Sequence, residues 1–371
     1  MICDYGITLC GKSHIAKDKV CQDNHKIKKL SNGWVIAAVA DGVGSAPHSD
    51  IGSKIAVDTL VEMCEELMPY DYNEISIKSM LRTVYNYALK KIIKEAEEAG
   101  NPVENYDTTL TAVIYDGKRI IYGHSGDGGI IGLTSYGKYV EITKPQKGED
   151  NISVIPLRAG YTSWEINSYE EDLVSVILVT DGMLDIMCPY LLNLDKDRSK
   201  VYVPLISYFA DPVDMEKDNV VAEIEEFVRA DKDYDVEKFY KRLTEVYKAR
   251  TKDFEECIEG IKKYNFPLTL MQNVQDDKTI VALVNTEDEI QNAEGDYYTE
   301  PDWKALQEAF NRLAYPHLYK DEEVIEEPSE EPICEEEKDK VVVNINKSLV
   351  NVVNLKNKIV KAFKKNEKED Q

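Results

Sequence analysis

The sequence has no pair of cysteines at the C-x-x-C spacing, although its 371 residues include seven cysteines. An odd, dispersed set of cysteines argues against a disulfide framework and against a zinc cluster, and it is typical of a reducing compartment. We therefore expect these cysteines to serve as small buried apolar residues, and we expect a cytoplasmic protein.

Long apolar runs are also absent, and basic residues are scarce. No segment approaches the roughly 20 apolar residues needed to cross a bilayer, and the start MICDYGITLC lacks the basic and apolar regions of a signal peptide. The chain has 69 acidic residues against 45 basic ones, which gives a formal net charge of −24. Such a surface repels phosphate backbones, so we expect no nucleic-acid partner. Because no apolar run is long enough, we also expect no transmembrane segment.

The apolar residues that are present, 43% of the chain, fall into strand-like and helix-like segments. The Asp116-Gly117 step between two strand-like segments predicts a β-hairpin. Two helices are predicted, from about residue 50 to 68 and from about 75 to a stop at Gly100. The segments with strand character are 4–10, 33–40, TTLTAVIYD, KRIIYGHSG, GIIGLTS, LVSVILVTDG and TIVALVN. Strands alternating with helix pairs suggest packed sheets with helices outside.

Two further regions differ from this pattern. Residues 190–275 form a long, charged stretch with helical periodicity, for example at 220–230 and 235–264. Residues 316–340 are acidic and contain prolines, which predicts a disordered linker, and 341–371 predict a basic amphipathic helix. We thus expect a folded domain over 1–315 with a helical insert, then the linker and the terminal helix.

Five short segments share one design, an acidic residue beside a glycine or a turn at a strand end. They are QDN at 22–24, ADGVG at 40–44, GHSGDGG at 123–129, TDGMLD at 180–185 and QDDKT at 275–279. Hard cations such as Mg²⁺ or Mn²⁺ prefer oxygen ligands, and strand ends hold carboxylates on rigid supports. A two-metal cluster lowers the pKa of a bridging water and clamps a phosphate for in-line attack.

Any one of these segments is a weak signal, because Asp-Gly is foremost a turn dipeptide. Two of the Asp-Gly steps, however, end long apolar strands, where an aspartate would otherwise be a costly charge near the core. GHSGD is also close to the G-x-S-x-G nucleophile motif, but Asp127 replaces the last glycine, so Ser125 is a poor nucleophile candidate.

In this order, QD, ADGVG, GHSGDGG, VTDGMLD and DDKT resemble the metal-dependent protein phosphatases of type 2C, and most closely their bacterial branch. The resemblance covers about residues 4–286. It implies an α+β fold, a four-layer αββα sandwich of two antiparallel sheets flanked by helices. It also implies a serine/threonine phosphatase that uses two, and up to three, Mg²⁺ or Mn²⁺ ions and hydrolyses phosphomonoesters by attack of a metal-bridging hydroxide.

The resemblance also implies roles for individual residues. Asp41 resembles the ligand that bridges both metals, the Gly42 carbonyl a ligand of the second metal, and Asp181 a ligand of the first. The family aspartate of the last motif lies three residues before the threonine, which selects Asp276 over Asp277. Three more aspartates match the weaker positions: Asp127 and Asp185 for a third metal, and Asp23 for an outer-shell contact.

The sequence departs from the family at two positions that would handle the phosphate. HIAKDKVCQD has no arginine before the first motif, so Lys17 or Lys19 would have to grip the phosphate as a point charge. Val43 stands where some members have a histidine as proton donor, and His48 or His124 could serve instead.

Two functions remain open on the sequence. The first is the phosphatase, acting on phosphoserine or phosphothreonine proteins, with a cognate Ser/Thr kinase as a further partner. The second is a catalytically weak, phosphatase-like module that binds a kinase or another partner through the insert and the tail. The missing arginine favours the second function, whereas the complete aspartate set favours the first.

Overall fold

The structure is a computed structural model that describes residues 1–150, 152–195 and 198–316. The strands are β1 (Ile2–Leu9), β2 (Asn24–Lys29), β3 (Val35–Ala40), β4 (Leu110–Tyr115), β5 (Ile120–Ser125), β6 (Gly129–Thr134), β7 (Tyr139–Glu141), β8 (Glu165–Ser168), β9 (Leu173–Val179) and β10 (Lys278–Asn285). The α-helices are α1 (Lys12–Ile15), α2 (Ser49–Leu67), α3 (Glu74–Ala99), α4 (Asp181–Met187), α5 (Val203–Ala210), α6 (Val220–Arg229), α7 (Val236–Arg250), α8 (Phe254–Tyr264), α9 (Phe266–Asn273) and α10 (Trp303–Ala314). Short 3₁₀ turns lie at Val103–Tyr106, Leu157–Ala159 and Tyr190–Leu194.

The strands form two five-stranded antiparallel sheets. The first sheet has the order β1-β10-β9-β6-β7, and the second has the order β2-β3-β4-β5-β8. Helices flank both sheets, so the predicted α+β sandwich of two antiparallel sheets is confirmed.

The apolar run of strand β3 is continuous because both faces of the strand are buried. Val35, Ala37 and Val39 belong to the core between the two sheets, whereas Ile36 and Ala38 belong to the core under the helices α2 and α3. Because alternate side chains of a strand point to opposite faces, a strand inside a four-layer sandwich needs apolar residues at every position.

Helices α2 and α3 cover the second sheet, and their ends follow capping rules. The Asn73 side chain accepts a hydrogen bond from the Ile75 amide at the start of α3. The helix ends at Gly100, whose φ of 69° is the left-handed conformation that glycine adopts most readily. Both ends agree with the predicted helix and its stop.

Within the described residues, five helices, α5 to α9, lie between α4 and β10, in the segment where the sequence shows helical periodicity. Their core is aromatic: Tyr208, Phe227 and Phe239 pack ring against ring, with centroids 4.6 to 5.0 Å apart. Arg250 on α7 forms a buried, two-pronged ion pair with Asp211, at 2.8 and 2.9 Å, which fixes α7 to the end of α5.

Across the described part of the chain, every helix is too short or too polar to cross a membrane. The predicted linker at 316–340, apart from residue 316, and the predicted terminal helix at 341–371 lie outside the described residues. The boundary of the folded domain at residue 315 therefore stays a prediction.

Candidate metal centre

Three of the predicted aspartates converge at one end of the sandwich. Asp41 follows β3, Asp127 lies between β5 and β6, and Asp181 begins α4 directly after β9 and Thr180. Oxygen atoms from these three carboxylates all lie within 4.8 Å of one another. Residues that are up to 140 positions apart in the sequence are therefore brought to one point by strands from both sheets.

The backbone of Asp41 is held from both sides by the start of β4. Its amide donates a 2.8 Å hydrogen bond to Thr109 Oγ1, and its carbonyl accepts bonds from the Thr109 amide (2.8 Å) and Thr108 Oγ1 (2.9 Å). Because the backbone is fixed by three hydrogen bonds, the Asp41 carboxylate has a defined position.

Asp23 joins the two sheets beside this cluster. It precedes β2 of the second sheet, is buried, and accepts a 2.8 Å hydrogen bond at Oδ2 from the Thr180 hydroxyl at the end of β9. The Thr180 hydroxyl also accepts a bond from the Thr279 amide of β10. Asp23 thus has a hydroxyl partner at the end of the first sheet, and its charge acts on the nearby Asp41.

The neighbours Asp276 and Asp277 have different environments. Asp277 is buried, and its carboxylate accepts hydrogen bonds from the amides of Gly11 and Gln22, both at 2.6 Å, and contacts His14 Nδ1 at 2.9 Å. Asp276 is the more open of the two: its Oδ1 accepts the Asp277 amide at 3.0 Å, and its carboxylate interacts with the charge of Asp181. Asp277 therefore ties the loop after β1 to β10, whereas Asp276 faces the carboxylate cluster.

Burial and the crowding of carboxylates raise the pKa of three aspartates at the site. Burial, followed by the charges of Asp23, Asp181, Asp276 and Asp127, holds the pKa of Asp41 well above its usual range. Burial and the charge of Asp277 raise the pKa of Asp23. Desolvation and Asp181 raise the pKa of Asp276 to about 6. Several like charges at one site are stabilised by a bound cation, and all-oxygen donors match a hard divalent ion.

The glycines of the site's Asp-Gly steps are required by close packing rather than by a turn. A Cβ at Gly42 would lie 2.7 Å from the backbone of Ser49, and one at Gly182 would lie 2.3 Å from the Asp277 carbonyl oxygen. By contrast, Gly117 has a φ of 103° in the predicted hairpin between β4 and β5. The Gly42 amide itself donates to the Gln22 carbonyl at 3.0 Å, which links two of the predicted motifs.

The remaining predicted site residues lie around the cluster. Asp185 is exposed on α4, one helical turn beyond Asp181. Lys17 is exposed after α1, while Lys19 Nζ is 3.4 Å from the Gly44 carbonyl in the loop that follows Asp41. His48 precedes α2 and packs against Tyr106, with ring centroids 5.1 Å apart.

His124 has structural contacts at both ring nitrogens. Nδ1 pairs with Thr111 Oγ1 at 2.9 Å, and Nε2 pairs with the Lys144 carbonyl at 3.2 Å. The ring is fully buried, and burial lowers its pKa. Of the two histidines considered as proton donors, His48 is therefore the more accessible.

Several residues that support the site were not identified from the sequence. Thr109 and Thr180 position Asp41 and Asp23, and His14 contacts Asp277. Thr180 stands directly before Asp181, so a polar residue at the end of an otherwise apolar strand was a usable signal. His14 gave no such signal, because its partner is 263 residues away.

Comparison of the sequence with models of protein families gives one match. A model of the family described as protein phosphatase 2C matches residues 10–229, which is more than half of the chain. The matched region contains Asp23, Asp41, Asp127 and Asp181, and the last motif at 275–279 lies beyond it.

Solved structures of bacterial phosphatases also match over most of this chain. A bacterial serine phosphatase is 13% identical, covers 80% of this chain and 100% of its own, and gives a TM-score of 0.46. The serine/threonine phosphatase Stp1 from Staphylococcus aureus is 14% identical over 80% of this chain and 96% of its own, with a TM-score of 0.45. The catalytic domain of PstP, in complex with two manganese ions, is 16% identical over 76% of this chain and 97% of its own, with a TM-score of 0.44. No curated protein matches the sequence.

Proposed function

The chain belongs to the protein phosphatase 2C family, and on that premise we propose that it is a metal-dependent protein serine/threonine phosphatase. The observation that carries this proposal is the convergence of Asp41, Asp127 and Asp181, whose carboxylate oxygens lie within 4.8 Å of one another. A purely structural cluster of this kind would cost free energy, because like charges in a partly buried site repel one another.

The donor set fits two divalent cations of the hard class, Mg²⁺ or Mn²⁺. We assign Asp41 as the ligand shared by both ions, with the Gly42 carbonyl, Asp181 and Asp276 completing the pair of sites. Asp127 and Asp185 are assigned to a third, weaker ion. Asp23 is assigned an outer-shell role, which agrees with its hydrogen bond to the Thr180 hydroxyl.

Bound ions of this class would supply an activated water and would neutralise the phosphate charge. The chain's own residues would do the rest. Lys19, whose ammonium lies 3.4 Å from the Gly44 carbonyl in the loop after Asp41, or Lys17, two residues before it, would bind a phosphate oxygen. His48 would donate a proton to the leaving alkoxide. The Thr108 and Thr109 bonds to Asp41 would keep its carboxylate oriented during turnover.

The substrates proposed are phosphoserine and phosphothreonine proteins in the cytoplasm, and a Ser/Thr kinase that phosphorylates them is the proposed cognate partner. The catalytic unit proposed is residues 1–315. The second function, a catalytically weak module that binds a partner, is favoured by one observation: the first arginine of the chain is Arg82. No arginine is therefore available in the segment before the first motif.

Hydrolysis of p-nitrophenyl phosphate by the purified full-length protein separates the two functions. We expect turnover with added Mn²⁺ or Mg²⁺, its loss on chelation with EDTA, and its return when the metal is restored. A phosphothreonine peptide should be hydrolysed under the same conditions. If the protein is well folded but shows no metal-dependent turnover of either substrate, the phosphatase hypothesis is rejected and the partner-binding module remains.

A further inference from the structure

A second group of metal-ligating side chains lies behind the aspartate cluster, at the loop that follows β1. We propose that Cys10, His14 and Asp277 form a separate binding site for a borderline divalent cation of the Zn²⁺ type. The site is independent of the proposed phosphatase activity, because it uses none of the carboxylates assigned to the hard ions.

The geometry of the three ligand atoms is that of a nearly formed site. One atom each from Cys10, His14 and Asp277 lies within 4.8 Å of the other two. Zn²⁺ binds sulfur at about 2.3 Å and nitrogen or oxygen at about 2.0–2.2 Å, so the ligands of one tetrahedral ion lie about 3.3–3.6 Å from each other. A side-chain movement of about 1 Å would therefore bring all three atoms onto one ion.

The contact between His14 and Asp277 shows where the ion would sit. Nδ1 and Oδ1 are 2.9 Å apart, within hydrogen-bond distance, and a cation bound by both atoms would replace this contact. Asp277 would remain anchored during this exchange, because its other oxygen accepts the Gln22 amide and Oδ1 also accepts the Gly11 amide. His14 and Asp277 are buried and Cys10 is half-buried, so the ion would enter from the side of Cys10.

A water molecule would complete four-fold coordination, which is the usual number for Zn²⁺. A second thiol, that of Cys21, lies nearby and interacts with the side chains of Cys10 and Asp277. Cys10 and Cys21 are eleven positions apart, so they do not form a C-x-x-C motif that could be recognised in the sequence. The fold places them together because the loop after β1 returns to the start of β2.

The two sites would select different ions. Thiolate and imidazole ligands suit Zn²⁺ and Co²⁺, whereas the all-oxygen cluster suits Mg²⁺ and Mn²⁺. The proposed Zn²⁺ site and the aspartate cluster are nonetheless adjacent in the structure. A Cβ on Gly11 would lie 2.3 Å from the Asp276 backbone, so the loop that carries Cys10 and His14 rests directly on the proposed catalytic ligand.

Co²⁺ absorption of the full-length protein tests this site without reference to activity. The protein is kept reduced, with Mg²⁺ in excess, and is titrated with Co²⁺. We expect a thiolate-to-cobalt charge-transfer band that saturates at one ion per chain and is abolished by Zn²⁺. Cys10→Ser should remove the band, while the control Cys3→Ser, on β1, should keep it. Asp41→Ala should also keep it, which separates this test from that of the phosphatase.

Absence of a thiolate band in the wild-type protein, or its persistence in Cys10→Ser, would overturn the proposal. If circular dichroism shows that Cys10→Ser is unfolded, the Co²⁺ affinity of His14→Gln tests the site instead. We expect the affinity for Co²⁺ to fall at least tenfold in that variant, since changes even outside the first ligand shell cost 10- to 100-fold. An unchanged affinity in folded His14→Gln would refute the site.

Discussion

The backbone amide of Gln22 donates a 2.6 Å hydrogen bond to Asp277 Oδ2, across 255 positions of sequence. With the Gly11 amide on Oδ1, this bond makes Asp277 the connection between β10 and the segment that leads to Asp23. Its neighbour Asp276 is more open, and its carboxylate interacts with the charge of Asp181. Two consecutive aspartates therefore have separable roles, one in the fold and one at the proposed metal centre.

Substitution of each by asparagine should separate these roles. We expect Asp276→Asn to reduce kcat at least a hundredfold with little loss of melting temperature, because it removes a charged metal ligand and, in the folded protein, one of several carboxylates that repel one another. Asp277→Asn should lower stability by about 1–3 kcal/mol, because an amide N–H₂ would face a buried backbone donor. Turnover and thermal unfolding measured on both variants test the assignment.

Asp218→Asn, on an exposed residue of the insert, is the matched control and should change neither property. The opposite pattern, a stable but inactive Asp277→Asn beside an active Asp276→Asn, would mean that the last motif is out of register by one residue.

The two lysines before the first motif should differ in their effect on substrate binding. Because Lys19 Nζ lies against the Gly44 carbonyl, Lys19→Ala should raise KM for p-nitrophenyl phosphate roughly fivefold, equivalent to about 1 kcal/mol. Lys17→Ala should raise it less. Steady-state kinetics at fixed Mn²⁺ measure both. A larger rise for Lys17→Ala than for Lys19→Ala would transfer the phosphate-binding role to Lys17.

Glu300 should make stability depend on pH. Its buried carboxylate accepts bonds from the Tyr202 hydroxyl (2.9 Å) and the Trp303 indole N–H (2.7 Å), and burial raises its pKa from 4.5 to about 8. Between these values the folded protein keeps a proton that the unfolded chain releases, so this contribution to stability falls as pH rises and is constant above about 8.

Glu300→Gln cannot titrate and should remove that contribution. We expect the melting temperature of the variant, relative to that of the wild type, to rise as the pH increases from about 5 to about 9. Glu294→Gln, on an exposed glutamate nearby in sequence, should follow the wild type. A constant difference between Glu300→Gln and the wild type across this range would contradict the role of Glu300.

Removal of residues 341–371 should leave hydrolysis of p-nitrophenyl phosphate unchanged, because the assigned ligands all lie before residue 277. The same truncation should leave the melting temperature unchanged and alter only the choice of protein substrate or location. A large loss of small-substrate turnover would show that the catalytic unit extends beyond residue 315.

The strands with strong apolar runs were predicted from the sequence, and the weakly apolar ones were missed. β3, β9 and β10 lie inside a four-layer sandwich, so both of their faces must be apolar and the runs are unmistakable. Strand β2, NHKIKK, is at the edge of its sheet and carries three lysines, a composition that protects an edge from pairing. Edge strands of this kind lack the pattern by which strands are recognised.

Helix boundaries were less accurate than helix positions. Residues 235–264 were predicted as one helical stretch, and the structure divides them into α7 and α8 at Thr251–Asp253. The apolar periodicity continues through the break because both helices bury one face against the same core. Packing direction, rather than periodicity, decides where the chain turns.

The convergence of the site could be predicted only in part. The aspartates were recognisable because each stands beside a glycine or a turn at one end of a strand, but their supporting partners were not. Thr109 and His14 act through contacts that span 68 and 263 positions, and no local pattern indicates such contacts. Long-range hydrogen bonds are products of the tertiary fold and leave no periodic trace in the sequence.

If the carboxylates around Asp41 form a metal-dependent phosphatase centre, Asp41→Ala should abolish turnover without unfolding the protein. Initial rates of p-nitrophenyl phosphate hydrolysis are measured against Mn²⁺ concentration for the wild type, Asp41→Ala and the control Asp218→Ala. We predict saturable Mn²⁺ activation in the wild type and the control, and at least a hundredfold lower rate in Asp41→Ala with unchanged circular dichroism. Turnover in Asp41→Ala comparable to that of the wild type would contradict the claim.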